Sequence, residues 1–218
     1  MKRNLAIALR FTVVTTMLFG LGYPLLVTGL SQWIFPWQAN GSLLEENGRI
    51  VGSRLIGQSF SGDNYFHGRP SAAGGGYDPT ASGGSNLGPT NQALVARVEQ
   101  EVRKWQKENP GRAIPADLVT ASGSGLDPDI SPASAEFQVA RVARTRGISL
   151  DEVRRIVARH TLPRQYGIWG EARVNVLELN LDLDAQRAAR MASRLDWGRI
   201  LHRAQNAVSL LPATKAGP

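Results

Sequence analysis

The residues of this chain that offer chemistry sit in two glycine-rich runs. Gly83-Gly84-Ser85-Asn86-Leu87-Gly88-Pro89-Thr90-Asn91 leads into a helix. Free N–H groups of such a loop can cradle an anion, which makes Gly83, Gly84, Ser85, Asn86 and Gly88 candidates for a nucleotide or phosphate contact. The run lacks the Gly-Lys-Ser/Thr ending of a P-loop, and no Lys occurs anywhere in 43–103. A tight turn that caps the following helix is the simpler reading. In Ala121-Ser122-Gly123-Ser124-Gly125, Ser122 stands where a nucleophile elbow needs glycine, and no strand–turn–helix frame surrounds it. Asp127-Pro128-Asp129 pairs two carboxylates, but before a capped helix these are turn residues rather than a metal site. His160 closes a helix, where an imidazolium suits the dipole. The three histidines share no short motif, and zero cysteines exclude a disulfide, a Cys-ligated metal and a thiol nucleophile. No nucleophile with its base and no acid–base pair assembles, so a non-catalytic chain with no metal and no tightly bound cofactor is expected.

Short helices and little strand position these runs. Ile50–Ile56 reads as a short strand interrupted by glycine, and 65–91 as ordered loop, because Tyr65, Phe66, Arg69 and Tyr77 punctuate it too often for a flexible linker. A first helix starts at Thr90 or Asn91 and runs to about Lys107, with Leu94, Val95, Val98, Val102 and Trp105 at helical spacing. Ser131 and Pro132 announce a second, burying Ala135, Val139 and Val142. Ser149-Leu150-Asp151-Glu152 is a capping box for a third, which follows a stop at Gly147 and presents Val153, Ile156 and Val157. Arg173–Asp184 alternates in period two with one slip at Val176/Leu177, which predicts a bulged strand. The expected fold is α+β. Residues 185–211 are Arg-rich and helix-prone without one clean apolar face. They read as an exposed, partly ordered tail, with Gly198 as a break.

The first 45 residues read differently. No charge occurs between Arg10 and Glu45, and Phe11–Phe35 is a 25-residue apolar stretch. As a helix it reaches roughly 37 Å, enough to cross a hydrocarbon core of ~30 Å. Tyr23-Pro24 marks a possible kink site, and Trp33 and Trp37 suit an aromatic belt. The apolar run is too long, and Gln38-Ala39-Asn40 too poor a cleavage site, for a signal peptide. Lys2, Arg3 and Arg10 place the N-terminus in the cytoplasm by the positive-inside rule, and the rest outside.

The formal charge of +7 follows the same division. Nine of the 25 basic residues and one of the 18 acidic ones lie in 1–10 and 185–218, which leaves 16 against 17 for the body. A basic groove for nucleic acid is therefore not expected. The resulting plan is a cytoplasmic N-terminus at 1–10, a transmembrane helix at 11–35, a small mixed extracytoplasmic domain at 36–184 and a basic extension at 185–218.

Gly57-Gln58-Ser59-Phe60, Tyr65-Phe66-His67-Gly68-Arg69-Pro70-Ser71-Ala72, the 84–91 run, Pro115 to Pro128 with its serine-glycine core, and Arg173-Val174-Asn175-Val176-Leu177 together resemble the C subunit of the bacterial Kdp potassium-transporting ATPase. The match runs in order to about Asp184. Two features depart from it. Ala172 stands where the family carries proline, and the basic tail extends past the usual end. The resemblance implies a non-catalytic subunit of an ATP-driven, high-affinity K⁺ importer in the bacterial inner membrane. The implied partners are a channel-like K⁺-selecting subunit, a P-type ATPase subunit and a small single-span subunit, besides membrane lipid. It also implies a catalytic-chaperone effect on ATP use, with ATP a ligand of the complex. Direct ATP contact at 83–91 conflicts with the outside placement of that loop, so the effect is expected to act through complex geometry. Arg69, Pro70, Asn86, Gly123, Ser124 and Asp127 are the expected partner contacts. The alternative is a membrane-anchored extracytoplasmic binding protein acting alone.

Overall fold

The computed structural model describes residues 1–209, with side chains described to residue 192. Lys2–Ile34 is one continuous helix of 33 residues, long and apolar enough to cross a membrane. It consists of α1 (Lys2–Thr15), a π-helical segment (Thr16–Gly22) and α2 (Tyr23–Ile34). The wide segment has a local cause. Pro24 has no N–H to give and its ring crowds the turn before it, so the ladder loosens over a stretch that contains Gly20 and Gly22. A further turn, α3 (Pro36–Ala39), ends the helix, and the Trp37 indole donates to the Leu43 carbonyl at 3.0 Å.

The chain then makes an antiparallel hairpin of β1 (Leu43–Glu46) and β2 (Arg49–Ser53), with its register broken between Leu44 and Glu45. After a long loop come α4 (Gln92–Glu108), β3 (Asp129–Ile130), α5 (Pro132–Arg146), α6 (Leu150–Arg159), β4 (Thr161–Leu162) and β5 (Arg173–Asn175). The last element, α7, spans Val176–Ser209. The second sheet is antiparallel in the order β3-β5-β4. The helix boundaries have the expected chemistry. Asn91, Ser131 and Ser149 cap α4, α5 and α6 through their side chains. Gly147 ends α5 at φ 65°, which glycine adopts without strain.

Two expectations fail together. Beyond Asn175 there is no bulged strand, and the phase slip marks the change from strand to helix. Leu177, Leu179, Leu181 and Leu183 alternate with polar residues, but no β-branched residue occurs in 177–184, and Leu and Glu are tolerated well in a helix. Burial of Val176, Leu179, Asn180 and Leu183 follows the helical period instead. The break expected at Gly198 fails likewise, because α7 runs through it to Ser209. Arg190 ties this part back by donating to Glu152 at 2.8 Å. Whether Leu195, Leu201, Val208 and Leu211 lack a common face, as the sequence suggests, lies outside the described side chains.

The main core joins Ile130, Val139, Val142, Val153, Ile156, Val174, Leu179 and Leu183 with Phe66 from the loop. A smaller cluster of Trp105, Leu118 and Phe137 holds the C-terminal end of α4, the only part of that helix with a buried residue.

Candidate functional site

The loop at 62–68 is mounted before it can present anything. Asn180 from α7 accepts from the Phe66 N–H at 2.8 Å and donates to the Phe66 carbonyl at 2.9 Å. Gln138 from α5 does the same for the next residue, accepting from His67 N–H at 2.8 Å and donating to its carbonyl at 3.0 Å. Two buried carboxamides thus replace the neighbouring strand that this segment lacks. Arg141, 6% exposed, donates to the Asp63 and Tyr65 carbonyls at 2.6 and 2.8 Å and pairs with Glu108 at 3.0 Å. Arg146 binds Asp184 at 2.9 Å, the same carboxylate that takes the Tyr65 hydroxyl at 2.9 Å. The His67 ring lies 6.0 Å from Trp105, and burial, with the Arg141 charge adding to it, pulls its pKa down to about 4.

From this mount Arg69 reaches across the fold to Asp127, at 2.8 Å. Both side chains are about a quarter exposed. Asp127 also accepts from the Asp129 N–H at 3.0 Å, an Asx turn around Pro128. Asp129 itself pairs with Arg173 at 3.0 Å, and burial pushes its carboxyl up from the ordinary value. The two carboxylates of the 127–129 turn therefore face different arginines and do not converge. Tyr77 donates to the Arg69 carbonyl at 2.6 Å, and its hydroxyl, buried and near Asp127, is pushed up to about 12.

The two glycine-rich runs lie against each other. The Gly83 N–H donates to the Ser124 carbonyl at 2.8 Å, and the Ser82 hydroxyl to the same oxygen at 3.1 Å. Ser71 donates to the Gly125 carbonyl at 2.6 Å. Gly125 sits at φ 68°, where a Cβ would lie 2.6 Å from the Ala73 nitrogen, so only glycine fits. A Cβ on Gly84 would come 3.1 Å from the Gly123 carbonyl. Gly123 faces open space.

The serine hydroxyls are consumed locally, Ser122 by the Gly125 N–H at 2.9 Å and Ser124 by the Leu126 N–H at 3.0 Å. At the entry to α4, Asn91 takes the Ala93 N–H at 2.8 Å and its own N–H bonds the Gly88 carbonyl at 3.0 Å, a capped turn. His160 sits after α6 with its ring 2.9 Å from Asp182.

Of the residues singled out in the sequence, Arg69 and Asp127 form one ion pair. Gly83 and Gly84 pack on 123–125, while Pro70 and Ser85 are half-buried. Asn86, at φ 51°, lies with Gly88, Gly123 and Ser124 on the exposed rim. Gln138, Arg141 and Asn180 escaped sequence reasoning. The one available hint was a polar residue at each helix position where the apolar period demands burial. Chemically, the arrangement is a polar surface whose described groups largely bond one another.

Comparison with known proteins is consistent over residues 5–185. The family described as K⁺-transporting ATPase, c chain (KdpC) matches residues 5–185. A protein of Koribacter versatilis named potassium-transporting ATPase KdpC subunit is 61% identical over 184 residues, which cover 84% of this chain and 95% of the relative. Proteins of the same name from Acidobacterium capsulatum and Rhodospirillum rubrum are 56% and 55% identical, over 83% and 84% of this chain and 97% and 96% of theirs.

Proposed function

This chain belongs to the KdpC family, the C chain of the K⁺-transporting ATPase, and on that premise we propose that it is the non-catalytic assembly subunit of an ATP-driven K⁺ uptake complex. The carrying observation is the Arg69–Asp127 loop cluster, which spends its reactive groups on itself and leaves Asn86, Gly123 and Ser124 exposed. Such a surface suits contact, not turnover. The helix Lys2–Ile34 packs beside a channel-like subunit that selects K⁺, and the domain sits over its outer mouth. A P-type ATPase subunit and a small single-span subunit complete the complex.

Lys2, Arg3 and Arg10, with no acid before Glu45, support a cytoplasmic N-terminus and an extracytoplasmic domain in the bacterial inner membrane. The chaperone effect on ATP use then reaches the pump subunit through the geometry of the complex. The Gly83 N–H, already bonded to Ser124, supports this indirect route over an ATP cradle in 83–91.

Tagged full-length chain, purified in mild detergent, is expected to carry the large membrane subunits. Elution alone favours a stand-alone binding protein and refutes the assembly role. Photolabelling of residues 83–91 by an ATP analogue supplied from the cytoplasmic side refutes the placement of the domain.

A further inference from the structure

The most exposed apolar side chains of the folded domain are gathered on one small structure. Between β4 and β5 the chain makes a hairpin closed by a bridge of Gln165 with Trp169 and by Arg164 gripping both carboxylate oxygens of Glu171 at 2.8 Å. At its tip Tyr166, Ile168 and Trp169 are 93%, 73% and 68% exposed. The turn runs through Tyr166 at φ 52° and Gly167 at φ 74°, with the Ile168 N–H bonded to the Gln165 carbonyl at 3.1 Å. Two positive φ values in a row define the tight hairpin turn that favours Asn-Gly. A bulky ring at the first position is a backbone outlier. Tyr166 therefore carries strain to hold an aromatic ring where the fold gives it almost no cover, so the ring's use lies outside the fold.

The position of the hairpin says where. Its two strands leave a groove of about 290 Å³ whose lining includes Leu162 and Arg173 together with Trp37, Gln38 and Leu55. Trp37 and Gln38 belong to the turn that ends the membrane helix. Tyr166 lies four positions beyond Leu162, a reach of at most about 13 Å, so the tip stays close to the groove that holds the helix end. Leu43, whose carbonyl takes the Trp37 indole, and Leu55, which lines the groove, add exposed apolar side chains there. Tyr and Trp are the residues that headgroup regions favour, with an apolar body and a polar edge. The Arg164–Glu171 pair leaves the tip without net charge, so contact would not depend on anionic lipid.

We propose that the Tyr166–Trp169 tip is a second membrane contact, dipping into the headgroup–acyl boundary of the leaflet from which the domain emerges. It fixes the domain's tilt, which a single helix through one short turn does not. The inference rests on Lys2–Ile34 crossing a bilayer and not on any partner subunit.

The chain has no cysteine, so Ile168→Cys and Gln106→Cys each give one labelling position on exposed surface. The full-length chain, with whatever subunits co-purify, is placed in zwitterionic nanodiscs and labelled with an environment-sensitive fluorophore. At 168, quenching by headgroup and shallow acyl nitroxide lipids is expected to be several-fold stronger than at 106, and quenching by aqueous iodide several-fold weaker. Tyr166→Asn, added to the 168 label, relieves the strain. It is expected to weaken lipid quenching while leaving the unfolding midpoint unchanged or higher. Iodide access at 168 equal to that at 106 overturns the proposal. Shielding from both iodide and lipid overturns it too, because a protein then covers the tip.

Discussion

Replacing Asn180 with alanine removes both hydrogen bonds that hold Phe66, at 2.8 and 2.9 Å. Phe66 is 0% exposed and Asn180 1%, so water does not reach the orphaned N–H and carbonyl without opening the core. Each unsatisfied buried group costs about 1–3 kcal/mol, so the pair costs about 2–6 kcal/mol. Against a typical domain stability of about 5–15 kcal/mol that loss is large. Asn180→Asp keeps the acceptor for Phe66 N–H, but it loses the donor to Phe66 and buries a charge, so it is expected to be at least as damaging. The assay is urea unfolding of the full-length chain in nanodiscs by near-ultraviolet circular dichroism, paired with hydrogen exchange at residues 64–68. The expected result is a lowered midpoint together with faster exchange of the Phe66 and His67 amides. Combined with Gln138→Ala the losses should not add, since both side chains hold the same segment. An Asn180→Ala chain that loses less than about 0.5 kcal/mol and keeps its amide protection refutes the clamp.

Three further outcomes are expected. Gly125→Ala strains a positive-φ position against Ala73 and Gly83 and should lower stability, whereas Gly123→Ala, facing open space, should leave it unchanged; their unfolding midpoints decide this. Any loss of co-purifying subunits caused by Gly123→Trp would then report a partner contact. His67, neutral in the fold with its pKa near 4 against 6.5 when free, contributes fully above pH 6.5. That contribution falls as pH drops from 6.5 towards 4, by an upper limit of about 3 kcal/mol, and His67→Gln should flatten the pH dependence of the midpoint in that window. Swapping charges with Arg69→Asp and Asp127→Arg should recover much of what either single change loses, with a coupling of about 1 kcal/mol for a pair still reached by solvent, measured in a double-mutant cycle.

Local rules carried the sequence a long way. Caps at Asn91, Ser131 and Ser149 and the stop at Gly147 are decided within a few residues, and the structure has each of them. The N-terminal helix is equally local, an uncharged run long and apolar enough to cross a membrane. Residues 176–184 misled because leucines at every second position satisfy a strand pattern, while the helix buries Leu177, Leu179 and Leu183 but not Leu181, and buries Asn180 besides. The site resisted for a different reason. Arg69 and Asp127 are 58 positions apart, and Asn180 is 114 from Phe66, so no short window contains either pairing. A buried Gln or Asn in a helix also looks like any surface amide until the backbone it serves is known.

The one-ended attachment of α4 has a consequence for how the domain opens. Trp105 is its only buried residue and Glu108 is ion-paired to Arg141 of α5, both in the last turns, whereas Val95 is 46% exposed near the start. The helix is a cantilever, fixed at its C-terminal root. Fraying from its free end breaks few tertiary contacts, so its first turns open at a small fraction of the free energy that separates the whole domain from its unfolded chain. The Asn91 cap is what sets that local threshold, and through it the glycine-rich run before the helix gains or loses its fixed exit.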